Sequence, residues 1–154
     1  AGGFPYTPPV GLLNSLKVAT EMLLAEGLEH VFSRHHRIAQ GIRCAAGAWG
    51  LQLCAVRPEL YSDTVSAIRV PAGFDANRLV AHALDAYGVS FGTGLGELAG
   101  KAFRIGHLGS LTETMALSGM ATAEMVMLDL GLPVRLGSGV AAAQKYYVRG
   151  CSRE

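Results

Sequence analysis

Glycine and proline cut this sequence into short segments, and the apolar spacing inside them changes from helical to strand-like and back. Thr7-Pro8-Pro9 has the form of a helix start: threonine is a favoured N-cap, and proline is tolerated in a first turn that has no use for its missing N–H. Leu12, Leu13, Leu16, Ala19, Leu23 and Leu24 then repeat at helical spacing. A second helix is expected over about residues 28–49, with Val31, Phe32, Ile38, Ala39, Ile42, Ala45 and Ala46 on one side and Gly50 as its stop. Residues 51–56 and 64–70 read as strands around an Arg57-Pro58-Glu59-Leu60-Tyr61-Ser62-Asp63 loop. Pro71-Ala72-Gly73 turns the chain, Asp75 caps a third helix, and Gly88 ends it near Tyr87. Short strands are expected at 89–91 and 102–105, on either side of a glycine-rich run from Gly92 to Gly100. Ser110-Leu111-Thr112-Glu113 has capping-box spacing and opens a Met-rich helix that Gly131 and Pro133 close. Ser138 is placed to cap a last helix through Tyr147. This order predicts an α+β fold, a small and mostly antiparallel sheet covered on one face by helices.

Composition bears on what such a fold does. Half of the 154 residues are hydrophobic and 16% are charged, against about 25% charged in an average globular protein. Disorder is excluded at that apolar content. No window reaches the roughly 18 apolar residues of a membrane span, and a net charge of +1 gives no strong pull toward nucleic acid or anionic lipid. A domain of this size has a large surface to solvate and few charges to do it with, so the chain is expected to be a piece of something larger. Its start, Ala1-Gly2-Gly3-Phe4-Pro5, has neither Met nor the basic and apolar regions of a signal peptide. Cys44, Cys54 and Cys151 form no C-x-x-C pair and fit no disulfide framework, which suggests reduced thiols and a cytoplasmic protein.

Candidate chemistry is sparse. In the glycine run, Glu97 stands at the third position of a dinucleotide fingerprint and a strand follows instead of a helix, so no nucleotide site is expected. The run is either a close-approach surface for a ligand or a plain connection. His35 and His36 are adjacent, face apart on a helix, and have no third ligand at helical spacing, so no metal site is expected. Arg34, Arg37 and Arg43 read as a solvated face, and Met115, Met120, Met125 and Met127 as core packing.

Two places are more informative. Tyr6 and Thr7 stand at a helix N-terminus, where an anion is favoured. Pro8 and Pro9 remove two donors, which leaves the two hydroxyls and the N–H groups of Val10 and Gly11 either to bind an anion or simply to cap the helix. Arg104 sits between apolar neighbours in Phe103-Arg104-Ile105-Gly106 and needs a partner. Its planar fork suits a carboxylate, supplied either by a ligand or by the chain itself. His107 would face away from it in an extended chain and is expected to be structural.

Phe4-Pro5-Tyr6-Thr7-Pro8-Pro9, Arg34-His35-His36-Arg37, Phe91-Gly92-Thr93-Gly94-Leu95-Gly96 and the run from Gly100 to Gly109 stand in an order that resembles the C-terminal part of class V pyridoxal-phosphate aminotransferases, in their serine–glyoxylate and alanine–glyoxylate branch. The segments from Val56 to Asp63 and from Leu136 to Gln144 look most like the aspartate–glyoxylate aminotransferases of the bacterial β-hydroxyaspartate route. The resemblance implies the C-terminal domain of a fold-type I transferase. It also implies a homodimer that binds pyridoxal 5'-phosphate and passes an amino group from aspartate, serine or alanine to glyoxylate, giving glycine. By the same resemblance Arg104 holds the substrate α-carboxylate, and Tyr6 and Thr7 contact the cofactor phosphate of the neighbouring subunit. Some relatives separate the phosphate-binding Tyr and Thr by two residues, which would put Phe4 at the Tyr position. Lys17, Lys101 and Lys145 lie outside the family's Schiff-base motif, so the catalytic lysine is expected upstream and the chain is expected to be inactive alone. Residues 1–26 would be an interdomain and dimer-contact segment with the first helix, and residues 27–154 the small domain, their apolar faces covered by partner chains. The competing expectation is a non-catalytic α+β binding or oligomerisation domain.

Overall fold

In the computed structural model, which describes residues 3–149, the elements run α1 (Val10–Glu26), α2 (Leu28–Ala48), β1 (Val65–Arg69), α3 (Ala76–Tyr87), β2 (Gly92–Thr93), β3 (Ala102–Gly106), α4 (Glu113–Asp129) and α5 (Ser138–Arg149). The strands form one antiparallel sheet in the order β1-β3-β2, so the fold is α+β as its turn and periodicity pattern predicts. Ala1 and Cys151 lie outside the described residues, and Cys44 and Cys54 are both half-buried. The described chain forms two compact units that divide between Arg34 and His35.

In the unit from His35 onward, alternation on the strands sends Ser66 and Ile68 of β1 and Phe103 and Ile105 of β3 inward. Of these, Ile68, Phe103 and Ile105 share one apolar core with Ile38 and Ile42 of α2, Trp49 just beyond it, Leu79 of α3, and Met120, Val126 and Met127 of α4. Each such side chain, fully buried, contributes roughly 1.5–3 kcal/mol, so this core holds the sheet in place. Phe91 meets Phe103 edge-to-face with ring centroids 6.0 Å apart. Met120 and Met127 are core residues as expected, whereas Met115 is exposed.

Several local expectations give way to tertiary structure. Asp75 does cap α3, its Oδ1 accepting the Asn77 N–H at 2.9 Å, and Gly88 ends that helix in the left-handed region. Thr7 caps nothing: Pro9 is the N-cap of α1 and contributes no side-chain bond. The N-cap of α4 is Thr112, whose Oγ1 accepts the Met115 N–H, instead of Ser110. Residues 51–56 do not form a strand, and only Leu53 bridges to Ile68 before the chain turns into the 3-10 helix Pro58–Leu60. The strand expected at 89–91 begins at Gly92, because the Val89 N–H still bonds back to the Ala83 carbonyl of α3.

The largest departure is at α5. Ser138 does not cap it; the Ser138 Oγ is buried without a hydrogen-bond partner among the described residues. Glu124 of α4, only 1% exposed, serves that helix end across space. Its Oε2 accepts the Gly137 N–H at 2.7 Å, and its Oε1 accepts from the N–H groups of Gly139 and Val140 and from Trp49 Nε1 at 2.8 Å. A buried carboxylate with four donors at a helix N-terminus has its charge compensated.

In the unit up to Arg34, no residue of α1 is buried, and Leu12, Leu16 and Leu24 of its apolar stripe are exposed. No helix among the described residues is long and apolar enough to cross a membrane.

Candidate functional site

Arg104 is the central residue of the middle strand. Inward-facing Phe103 and Ile105 on either side turn its side chain to the opposite face of β3, where it is half-buried. The register sets Ala67 of β1 and Gly92 of β2 directly beside it. Both neighbours are small, so nothing crowds the guanidinium in its row. Arg104 Nε donates to the Thr93 carbonyl at 2.9 Å. Among the described residues Arg104 has no ion pair; the intramolecular partner left open above is absent there, and both Nη groups stay available. A guanidinium anchored through Nε presents its two Nη groups as a planar pair of donors, which is the geometry that grips a carboxylate.

The glycine run beside Arg104 is explained from inside the chain. A Cβ on Gly94 would lie 2.0 Å from the Leu98 carbonyl oxygen, while the Gly94 N–H bonds the Ala102 carbonyl at 2.9 Å. At Gly94 the loop therefore packs on its own backbone.

Tyr6 and Thr7 precede α1 in the other unit. Tyr6 is 86% exposed, Thr7 and Phe4 are exposed, and the hydroxyls of Tyr6 and Thr7 make no hydrogen bond with the described residues. The Val10 N–H expected to serve an anion is turned to the Pro8 carbonyl at 2.9 Å, which leaves Gly11 as the available N–H. Two free hydroxyls and one helix-start N–H suit an anionic group such as a phosphate.

The basic residues of α2 are not a solvated face. Arg34 grips Glu26 with both arms, at 2.6 and 2.8 Å. Arg37 reaches Glu113 and the Tyr147 carbonyl. Arg43, its side chain 10% exposed, holds Asp63 at 2.7 Å and lies over the Tyr61 ring. His36 bonds the other Asp63 oxygen at 3.0 Å. Burial opposes ionisation of Asp63, but the hydrogen bonds from His36 and Arg43 outweigh it and hold its carboxyl below the usual value. His35 accepts the Gly109 N–H. No group of three His, Cys, Asp or Glu able to hold a metal occurs among the described residues.

His107 is 1% exposed and locked between Ser66 and the backbone of Asp63. Its Nδ1 faces the Asp63 carbonyl, so Nδ1 carries the proton and Nε2 accepts from the Ser66 hydroxyl. Burial, with Arg43 acting in the same direction, pushes this imidazole down to about 4. It is a structural, neutral histidine. A cleft of about 520 Å³ lies at the end of α2, between Arg43, Tyr61, Cys54 and Arg69, and Arg104 is not part of its lining. Lys17 pairs loosely with Glu21 on α1, and Lys101 and Lys145 are exposed.

No family model matches the chain. Over 145 residues it is 74% identical to the L-aspartate–glyoxylate aminotransferase of Paracoccus denitrificans, covering 94% of this chain and 37% of that protein. It is 50% identical over 152 residues to the serine–glyoxylate aminotransferase of Hyphomicrobium methylovorum, covering 99% of this chain and 38% of the relative. Among solved structures, the pyridoxamine–pyruvate aminotransferase of Mesorhizobium loti superposes with a TM-score of 0.90 at 34% identity, over 97% of this chain and 38% of that one. The chain thus spans little more than a third of the length of the curated relatives it matches. Sequence and fold together make this chain similar to the C-terminal part of these aminotransferases.

Proposed function

We propose that this chain is the C-terminal part of a pyridoxal-phosphate-dependent aminotransferase that moves the amino group of a small L-amino acid to glyoxylate. The products are glycine and the 2-oxo acid of the donor. The observation that carries this reading is the 74% identity to an enzyme whose name specifies aspartate and glyoxylate, and it favours aspartate over serine as donor.

Pyridoxal 5'-phosphate, when bound, supplies the electron sink for breaking the bond to the donor's α-hydrogen. The residues of this chain bind and orient. Arg104 takes the α-carboxylate of the donor, and then the carboxylate of glyoxylate, on its two Nη groups. Holding the carboxylate there would fix the orientation of the donor's α-carbon, and that orientation is most of what an arginine clamp contributes to rate. The Tyr6 and Thr7 hydroxyls and the Gly11 N–H hold the cofactor phosphate of a neighbouring subunit, with the exposed stripe of α1 covered in a homodimer. We place such an enzyme in the cytoplasm, where the thiol of Cys54 would stay reduced. Lys17, Lys101 and Lys145 have no catalytic role in this scheme.

The test is Arg104→Ala in the full-length protein, assayed with aspartate, serine and alanine against glyoxylate. Losing two charge-assisted hydrogen bonds is expected to cut kcat/KM by about 100-fold or more. Kinetics unchanged by the substitution would remove Arg104 from the site, and a full-length wild-type enzyme without turnover on any of the three donors would overturn the proposed reaction.

A further inference from the structure

Arg104 has a partner on its own face of the sheet whose importance lies in having no side chain. A Cβ on Gly92 would stand 3.1 Å from both Cβ and Nε of Arg104 and 3.3 Å from its Cζ, inside ordinary van der Waals distance along the length of the side chain. Gly92 is not among the glycines with positive φ, so its backbone conformation accepts alanine. The strand therefore needs glycine here for the space and not for the φ. The space is filled by the arginine, which lies flat across β2 and reaches the carbonyl of the next residue, Thr93.

We propose that Gly92 and the Thr93 carbonyl are positioning elements for Arg104: the missing side chain lets the guanidinium lie down on β2, and the carbonyl fixes its rotation through Nε. With Nε so engaged, the two Nη groups keep one orientation before a carboxylate arrives, and less rotamer freedom is lost on binding. The Cβ and Nε of Arg104 cannot both retreat from a methyl group at position 92. Cβ is fixed by β3, so Nε must leave the Thr93 carbonyl, and the Nη pair swings with it. Ala67, Arg104's other neighbour in the row, leaves that swing room. The inference rests on Arg104 being the carboxylate ligand of the proposed reaction.

The experiment is a double-mutant cycle on the full-length enzyme: wild type, Gly92→Ala, Arg104→Lys and the double variant, with Arg104→Ala alongside. Lysine keeps the charge but has no Nε donor and no fork, so it measures the site without the positioning. Gly92→Ala is expected to raise KM for glyoxylate about 10-fold with little change in melting temperature. In the Arg104→Lys background the same substitution is expected to change KM by less than about 2-fold. A Gly92→Ala enzyme with wild-type KM overturns the inference, as does an equal loss in both backgrounds, which would mark Gly92 as a structural residue acting independently of Arg104. If Arg104→Ala itself leaves the kinetics unchanged, the carboxylate-binding role fails first, and that result is read separately from the other two.

Discussion

Replacing Glu124 by glutamine keeps shape and volume and removes only the charge and one acceptor, so it isolates what the carboxylate does for α5. In the wild type, Trp49 Nε1 and the N–H groups of Gly139 and Val140 converge on Oε1, and the Gly137 N–H meets Oε2. The glutamine oxygen can retain the three bonds on one side, but each falls from charge-assisted to neutral strength, a loss of about 1 kcal/mol apiece. On the other side an NH2 group meets the Gly137 N–H, donor against donor, at a buried position, and that adds about 1 kcal/mol or more. Together these give about 3–4 kcal/mol, and the helix-dipole contribution is not added because it is the same interaction counted another way. The loss should appear locally as faster amide hydrogen exchange at Gly137, Gly139 and Val140, by about two to three powers of ten if opening of the first turn governs exchange. It should also lower the urea midpoint. Equal exchange at these three amides in Glu124→Gln and wild type would refute the assignment of Glu124 as the cap of α5.

His107 predicts the pH dependence of stability. Its folded-state value of about 4 lies below the unfolded 6.5, so its contribution is complete above pH 6.5 and is lost as pH falls toward 4, by up to about 3 kcal/mol. Unfolding free energies measured between pH 4 and 8 should show this decline in wild type and a shallower one in His107→Gln; identical slopes would sink the idea. Gly94→Ala should destabilise by about 1–3 kcal/mol and loosen the 94–100 loop, since the added methyl meets the Leu98 carbonyl at 2.0 Å; an unchanged urea midpoint would contradict it.

Where local chemistry acts alone, it was legible. Asp75 and Gly88 bound α3 because the Asn77 N–H and the Ala83 and Leu84 carbonyls find their partners within the same stretch, and residues 65–69 pair as a strand because their alternation has a core to face. The misses share one cause, a partner remote in sequence or a neighbour that commits the backbone first. Ser138 has the right chemistry for a cap, but Glu124 from the preceding helix already occupies the place. Residues 51–56 have strand composition, yet only the stretch around Leu53 meets an edge of β1 before Pro58. Arg34, Arg37 and Arg43 looked like a water-facing set because Glu26, Glu113 and Asp63 are brought to them by the fold. At the candidate site, Arg104 was visible as a charge flanked by apolar residues. Gly92 was hidden inside a glycine-rich run, where only the register of β2 against β3 shows that one glycine lies under the arginine.

The contact between α2 and α5 bears on how the chain acquires its structure. Gly41 has no room for a side chain because the Tyr147 ring occupies that place, and the Tyr147 hydroxyl donates to the Ile38 carbonyl at 3.1 Å while its own carbonyl accepts from Arg37. These contacts join positions more than a hundred residues apart, so they tie together the two ends of most of the unit's sequence. A chain still emerging from synthesis has α2 in hand long before Tyr147 exists. Until then the Gly41 face of α2 lacks the ring that covers it, so the α2–α5 contact can form only once nearly the whole unit has been made.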